Sequence, residues 1–159
     1  MTSPLIALAA DHGGFELKEQ LKKSLEEGGY RIVDLGTNDE QSVDYPDYAE
    51  AMAAAIRAKV AEAGVLACGT GIGISIAVNR HTDVRAALVH DAYTARLSRQ
   101  HNDANVIVFG GRTIGPEVAK DCLKVFLSTE FEGGRHARRV AKMSIPVNMP
   151  ETLPKFWKD

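Results

Sequence analysis

The chain has 159 residues, 45% of them apolar, with 19 Lys and Arg against 21 Asp and Glu and a net charge of −2. This balance excludes a dedicated nucleic-acid binder, which carries a basic excess, and the length suits one soluble domain that buries roughly two-thirds of its unfolded surface. The apolar runs fall far short of a membrane span, Met1-Thr2-Ser3-Pro4 opens no signal peptide and two cysteines make no disulfide framework, so a cytoplasmic protein is expected.

Leu5 to Ala10 is a continuous apolar run, the pattern of a strand covered on both faces. Asp11-His12-Gly13-Gly14 follows, and then Phe15, Leu17, Leu21 and Leu25 at helical spacing, stopped by Gly28-Gly29. Arg31 to Leu35 reads as a second strand, Gly36 to Pro46 as a polar loop, and Tyr48 to Ala61 as an alanine-rich helix before Gly64. Val65 to Ala67 gives a third strand and Ile72 to Val78 a short helix. Val84 to Val89 gives a fourth strand before a helix from Ala92 to Gln100. Val106 to Phe109 is the fifth strand, Gly115 to Ser128 a helix, and Arg135 to Met143 a last helix.

This β-α alternation predicts an α/β fold, a Rossmann-like three-layer αβα sandwich around a five-stranded parallel sheet in the order 2-1-3-4-5, plus the C-terminal helix. One domain is expected over residues 1–143. The tail over 144–159 carries Pro146, Pro150 and Pro154 with Phe156 and Trp157, so it reads as non-helical and either packs along a partner subunit, the favoured expectation, or is disordered.

Ligands of such sheets bind beyond the carboxyl ends of the strands, where the strand order reverses. In this order the loops after strands one and three meet: Asp11-His12-Gly13-Gly14 and Cys68-Gly69-Thr70-Gly71-Ile72-Gly73. Glycines here let a ligand approach the main chain, whose N–H groups can hold a phosphate or a developing oxyanion. The loop is neither a Walker loop, lacking the Lys-Ser/Thr pair, nor a GxGxxG dinucleotide fingerprint. Cys68 just before it suits a nucleophile or general base, although a lone cysteine is more often a small buried hydrophobe. Cys122 falls among Ala119, Leu123 and Val125 and reads as core.

Asp11 is open to two roles, helix cap or ligand contact, and His12 to phosphate or sugar binding. His101-Asn102 closes the fourth helix, which runs back to the sheet edge opposite Cys68. His101 is therefore either an ordinary C-terminal histidine or a residue that serves a neighbouring subunit. Arg135 and Arg139, one helical turn apart and accompanied by Arg138 and His136, can clamp one anion or form a solvated face. Arg112, after Gly110-Gly111, is a further candidate for the same anion. No Cys/His set has metal-ligand spacing, so no metal is expected.

Taken in order, Asp11-His12-Gly13-Gly14, Asp44-Tyr45-Pro46-Asp47-Tyr48, Cys68-Gly69-Thr70-Gly71-Ile72-Gly73, Ser98-Arg99-Gln100-His101-Asn102-Asp103 and Glu132-Gly133-Gly134-Arg135-His136 resemble the type B ribose-5-phosphate isomerases, of the family that includes the galactose-6-phosphate isomerase subunits. The resemblance spans about Leu5 to Met143. It implies a cofactor-free interconversion of D-ribose 5-phosphate and D-ribulose 5-phosphate in the pentose phosphate pathway, with Cys68 as the base that moves a proton between C2 and C1 through an enediolate. Some relatives use a glutamate a few residues later instead; here that place is Ile74. The backbone of Gly69 to Gly73, with Thr70, would stabilise the enediolate oxygen. His101 would assist ring opening, Asp11 would position sugar oxygens, and Tyr45 and Asn102 would line the site. His12, Arg112, Arg135 and Arg139 match phosphate-holding positions. The resemblance also implies a homodimer, or a tetramer built from it, with sites shared between subunits. The alternatives are an isomerase of a six-carbon sugar phosphate, such as allose or galactose 6-phosphate, and a non-catalytic phosphate- or nucleotide-binding module.

Overall fold

The apolar runs become β1 (Leu5–Ala10), β2 (Arg31–Asp34), β3 (Ala63–Cys68), β4 (Ala86–Leu88) and β5 (Val106–Gly110), all in one parallel sheet. Between and after them lie α1 (Phe15–Glu27), α2 (Tyr45–Arg57), α3 (Ile72–Val78), α4 (Ala92–Asn102), α5 (Pro116–Ser128) and α6 (Arg135–Met143). This computed structural model describes residues 4–146. Of the proline-rich tail expected over 144–159, residues 147–159 lie outside the described residues.

Alternation along the strands builds the two halves of the core. Ile6, Leu8, Ile107 and Phe109 point to the face covered by Leu17, Leu21 and Leu25 of α1 and by Leu123 and Phe126 of α5. Ala7, Ala9, Leu66, Val106 and Val108 point to the other face, against Ala49, Met52 and Ala53 of α2 and Ile74 and Val78 of α3. Small residues on both sides of that second interface let the alanine-rich helix lie close to the sheet.

The sheet order is β2-β1-β3-β5-β4, which corrects the expected 2-1-3-4-5 in its last two places. Parallel crossovers are right-handed, so the direction in which the chain steps along the sheet decides which face the connecting helix covers. The step from β4 back to β5 puts α4 beside α5 on the face of α1, leaving α2 and α3 together on the other. Burial favours the same arrangement. β5 is buried along its whole length and belongs inside the sheet, whereas the three half-buried residues of β4 suit an edge.

Several boundaries shift by one to four residues, the second helix most. The second helix starts at Tyr45, with Asp44 at the N-cap and Pro46 in the first turn, where the missing N–H costs nothing. It ends at Arg57, before Lys59 takes a positive φ of 55°.

Sequence patterning gave no warning of the charge buried beneath α1. Lys18 is fully buried, and its Nζ lies 2.8 Å from Asp34 Oδ1 and 2.8 Å from Glu19 Oε1, while Lys22 Nζ lies 2.9 Å from Asp34 Oδ2. Burial alone pushes the Asp34 carboxyl up, but hydrogen bonds from Lys18, Lys22 and the Gly36 N–H outweigh it and hold the group below its ordinary value. The charged form is thus favoured in the folded state. Its contribution to stability is complete above the carboxyl's unfolded value and disappears as pH falls through the lower folded one. Asp34→Asn is expected to destabilise the protein by about 3 kcal/mol at neutral pH, the low end for breaking a buried pair because Glu19 remains. Urea unfolding of the variant should also show a flatter dependence of stability on pH below about pH 4 than the parent.

Candidate active site

The loops after β1, β3 and β5 converge at the carboxyl edge of the sheet. β1 and β3 are neighbours, as expected, and the corrected order sets β5 against the other side of β3, with Cys68 opposite Gly110. Contacts between these loops leave no room for side chains. A β-carbon on Gly13 would sit 2.9 Å from the Gly69 nitrogen. Gly71 has φ 76° in the left-handed region, and a β-carbon there would fall 2.9 Å from the Phe109 carbonyl carbon.

Cys68 ends β3 and is buried, with Sγ accepting the Gly71 N–H at 3.1 Å. The thiol packs in the core and also meets the Gly71 amide at the start of α3, so the two readings of Cys68 do not exclude each other. Ile72 N–H is 3.3 Å from Thr70 Oγ1, which accepts it and keeps its own proton free to donate outward. Ile74 is fully buried, so no acid replaces the thiol at that place.

Asp11 does cap the turn into α1: Oδ1 accepts the N–H groups of Gly13 at 2.9 Å and Gly14 at 3.1 Å. Its other oxygen has no such bond among the described residues. No buried polar side-chain atom there lacks a partner, so Oδ2 is open to solvent and to a ligand. Capping and ligand contact are compatible, one per oxygen.

His12 Nδ1 accepts the Val43 N–H at 3.2 Å, which puts the proton of the neutral ring on Nε2, facing away as a donor. Arg112 lies over Gly69, where a β-carbon would be 3.0 Å from Nη1, and it has no carboxylate partner among the described residues. His12 and Arg112 line a cavity of about 290 Å³ with Glu16, Gln20 and Glu40, three polar residues that no motif had singled out. Tyr45, at the start of α2, covers α3: a β-carbon on Gly73 would be 2.6 Å from its Cζ. Asp11, His12, Tyr45, Cys68, Gly69, Thr70, Gly71, Ile72, Gly73 and Arg112 thus belong to one edge.

The remaining candidates lie at the other. α4 runs antiparallel to the strands and delivers His101 and Asn102 where β5 begins, roughly a strand length, about 15 Å, from Cys68. The Glu132 N–H donates to Gln100 O at 3.1 Å, which ties the segment before α6 to the same place and brings Arg135 and Arg139 there. Both arginines are exposed and without carboxylate partners among the described residues.

His136, read from sequence only as part of a basic cluster, is buried and stacked on His101 with ring centroids 4.2 Å apart. With Glu132 the two form the one group of three metal-ligand-type side chains among the described residues, their atoms within 4.8 Å. The linear spacing concealed this group, because its members come from two elements. The rings are parallel to within 10°, however, so their lone pairs run side by side and do not converge on one ion.

An α/β protein with a thiol, a half-free carboxylate, a glycine-lined loop at a helix start and an arginine without a carboxylate partner at the switch point is built to receive a small anionic substrate. Comparison with known proteins agrees. The family model described as Ribose/Galactose Isomerase matches residues 6–143, and the chain belongs to that family. It is 46% identical to a putative sugar phosphate isomerase of Rickettsia conorii, over 87% of this chain and 96% of the relative. It is 45% identical to ribose-5-phosphate isomerase B of Escherichia coli, over 85% and 91%. A crystal structure of a ribose 5-phosphate isomerase from Thermotoga maritima superposes with a TM-score of 0.87 at 50% identity, covering 89% of this chain and 97% of that one. No helix among the described residues is long and apolar enough to cross a membrane.

Proposed function

We propose that the protein interconverts D-ribose 5-phosphate and D-ribulose 5-phosphate by proton transfer through an enediolate, a step of the pentose phosphate pathway. The observation that supports the mechanism is Cys68 Sγ held 3.1 Å from the Gly71 N–H, at the mouth of the glycine loop that opens α3.

In the open-chain aldose, the Cys68 thiolate removes the C2 proton. The C–H electrons form the C1–C2 double bond and the carbonyl electrons move onto O1. The Gly71 and Ile72 amides are taken by Cys68 Sγ and Thr70 Oγ1. The oxyanion therefore falls to the remaining amides of the Gly69 to Gly73 loop and to the Thr70 hydroxyl, each such donor being worth roughly 3–4 kcal/mol. The thiol then returns the proton to C1, while the O2–H proton passes to O1 and the carbonyl re-forms at C2. Asp11 Oδ2 positions the sugar hydroxyls. His12 Nε2–H and Arg112 hold the phosphate, which supplies the orientation that a weak carbon acid requires.

The stored aldose is a ring. Opening it requires a proton on the ring oxygen as the C1–O bond breaks, with the anomeric hydroxyl proton leaving to water. His101 is assigned this role, with Asn102, Arg135 and Arg139 around it. Within one chain His101 is too far from Cys68 to share a five-carbon substrate. A homodimer in which each copy lends this edge to its partner's Cys68 loop removes the difficulty. Ile72 and Ile76, 54% and 66% exposed and one turn apart on α3, support such a contact.

The test is kcat/KM for ribose 5-phosphate against allose and galactose 6-phosphates. A preference for the pentose of at least about tenfold is expected; a preference for a hexose 6-phosphate would move the protein to the six-carbon branch of the family.

A further inference from the structure

Nothing in the proposed chemistry uses the buried imidazole at the start of α6. His136 is shielded from solvent, lies flat against His101 and leaves that ring half-exposed on its outer side. Glu132 addresses both rings from one oxygen: Oε2 is 3.6 Å from Nε2 of His136 and 4.0 Å from Nε2 of His101. The main chain fixes all three groups, through Glu132 N–H to Gln100 O at 3.1 Å and His136 N–H to Gly133 O at 3.0 Å.

We infer that His136 and Glu132 are positioning residues for His101, the stacked ring setting the plane of its imidazole and the carboxylate lying across from its Nε2 edge. The inference rests on the reading of His101 as the ring-opening acid. Every charge that faces the pair fits the division of labour. Burial, then His101 and Arg135, push the His136 imidazole down, Glu132 pulls against them, and Arg139 adds to the depression. The neutral form of His136 is thus favoured, which suits a flat platform beneath His101. A side chain held flat on one face and faced by a carboxylate at one edge has lost most of its rotamer freedom before substrate arrives, and orientation is worth most in proton transfer.

The experiment separates ring opening from proton transfer. D-ribulose 5-phosphate has its O5 blocked by phosphate and stays open-chain, so exchange of its C1 hydrogens with deuterated solvent needs the Cys68 base but no ring opening. Glu132→Gln and His136→Ala are expected to slow ribose 5-phosphate turnover roughly tenfold to a hundredfold, with KM and the exchange rate nearly unchanged. His136→Phe keeps a flat ring and should recover most of the loss. Glu132 is half-exposed, so its variant folds even where a change at His136 does not. Equal losses in turnover and exchange would overturn the inference, since a general structural defect does that. Full ribose 5-phosphate turnover in both Glu132→Gln and His136→Ala would overturn it too, and His136→Phe as slow as His136→Ala would remove the stacking role. A parent protein that catalyses neither turnover nor exchange would instead refute the isomerase reading itself.

Discussion

Replacing Cys68 by alanine is expected to lower ribose 5-phosphate turnover by about three orders of magnitude, within the range for loss of a general base. Binding of the sugar phosphate should hold, because His12 and Arg112, the residues proposed to hold the phosphate, come from other loops and neither is oriented by the thiol. The Val43 N–H orients His12, and Arg112 N–H donates to Gly69 O at 2.9 Å. The fold should hold as well: the substitution removes one sulfur atom and leaves the Gly71 N–H without an acceptor, a cost of about 1 kcal/mol. Steady-state kinetics and calorimetric titration of the variant with ribose 5-phosphate check both halves. Turnover near the parent's would end the assignment of Cys68 as base, since the alternative loop position is occupied by the fully buried Ile74 and not by an acid.

Much of this site could be read from the chain because its two main loops are local features. Asp11 to Gly14 and Cys68 to Gly73 each follow a continuous apolar strand, and the edge at which they meet follows from parallel topology. The last step of the strand order was harder. It turns on whether Ala86–Leu88 or Val106–Gly110 lies inside the sheet, and both are short and apolar. The clue was present in the uninterrupted Val106-Ile107-Val108-Phe109, set against a fourth strand entered through the charged Arg85. What stayed hidden depends on contacts distant in sequence. The tautomer of His12 is set by an amide 31 residues away, and Lys18 is neutralised by an aspartate 16 residues on. His136 was masked by its arginine neighbours, although Val140, one turn later and also buried, completes the narrow inward stripe of α6.

The proposed sharing of the site between the edges of two subunits leads to the sharpest expected result. Chains with Cys68→Ala and chains with His101→Ala should each be nearly inactive alone, the second because it loses its ring-opening acid. Combined in one dimer, the two lesions distribute unequally. One site joins the altered residue 68 to the partner's altered residue 101 and carries both defects. The other joins an intact Cys68 to an intact His101 and carries neither. Two-fold symmetry allows no third arrangement, so a mixed dimer isolated by two affinity tags should regain about half of the parent's activity per dimer. A site contained within one chain predicts the contrary, since each chain then keeps its own defect and mixing restores nothing. Absence of recovery in a verified mixed dimer would require His101 and its stacked partner to serve some purpose other than the chemistry at Cys68.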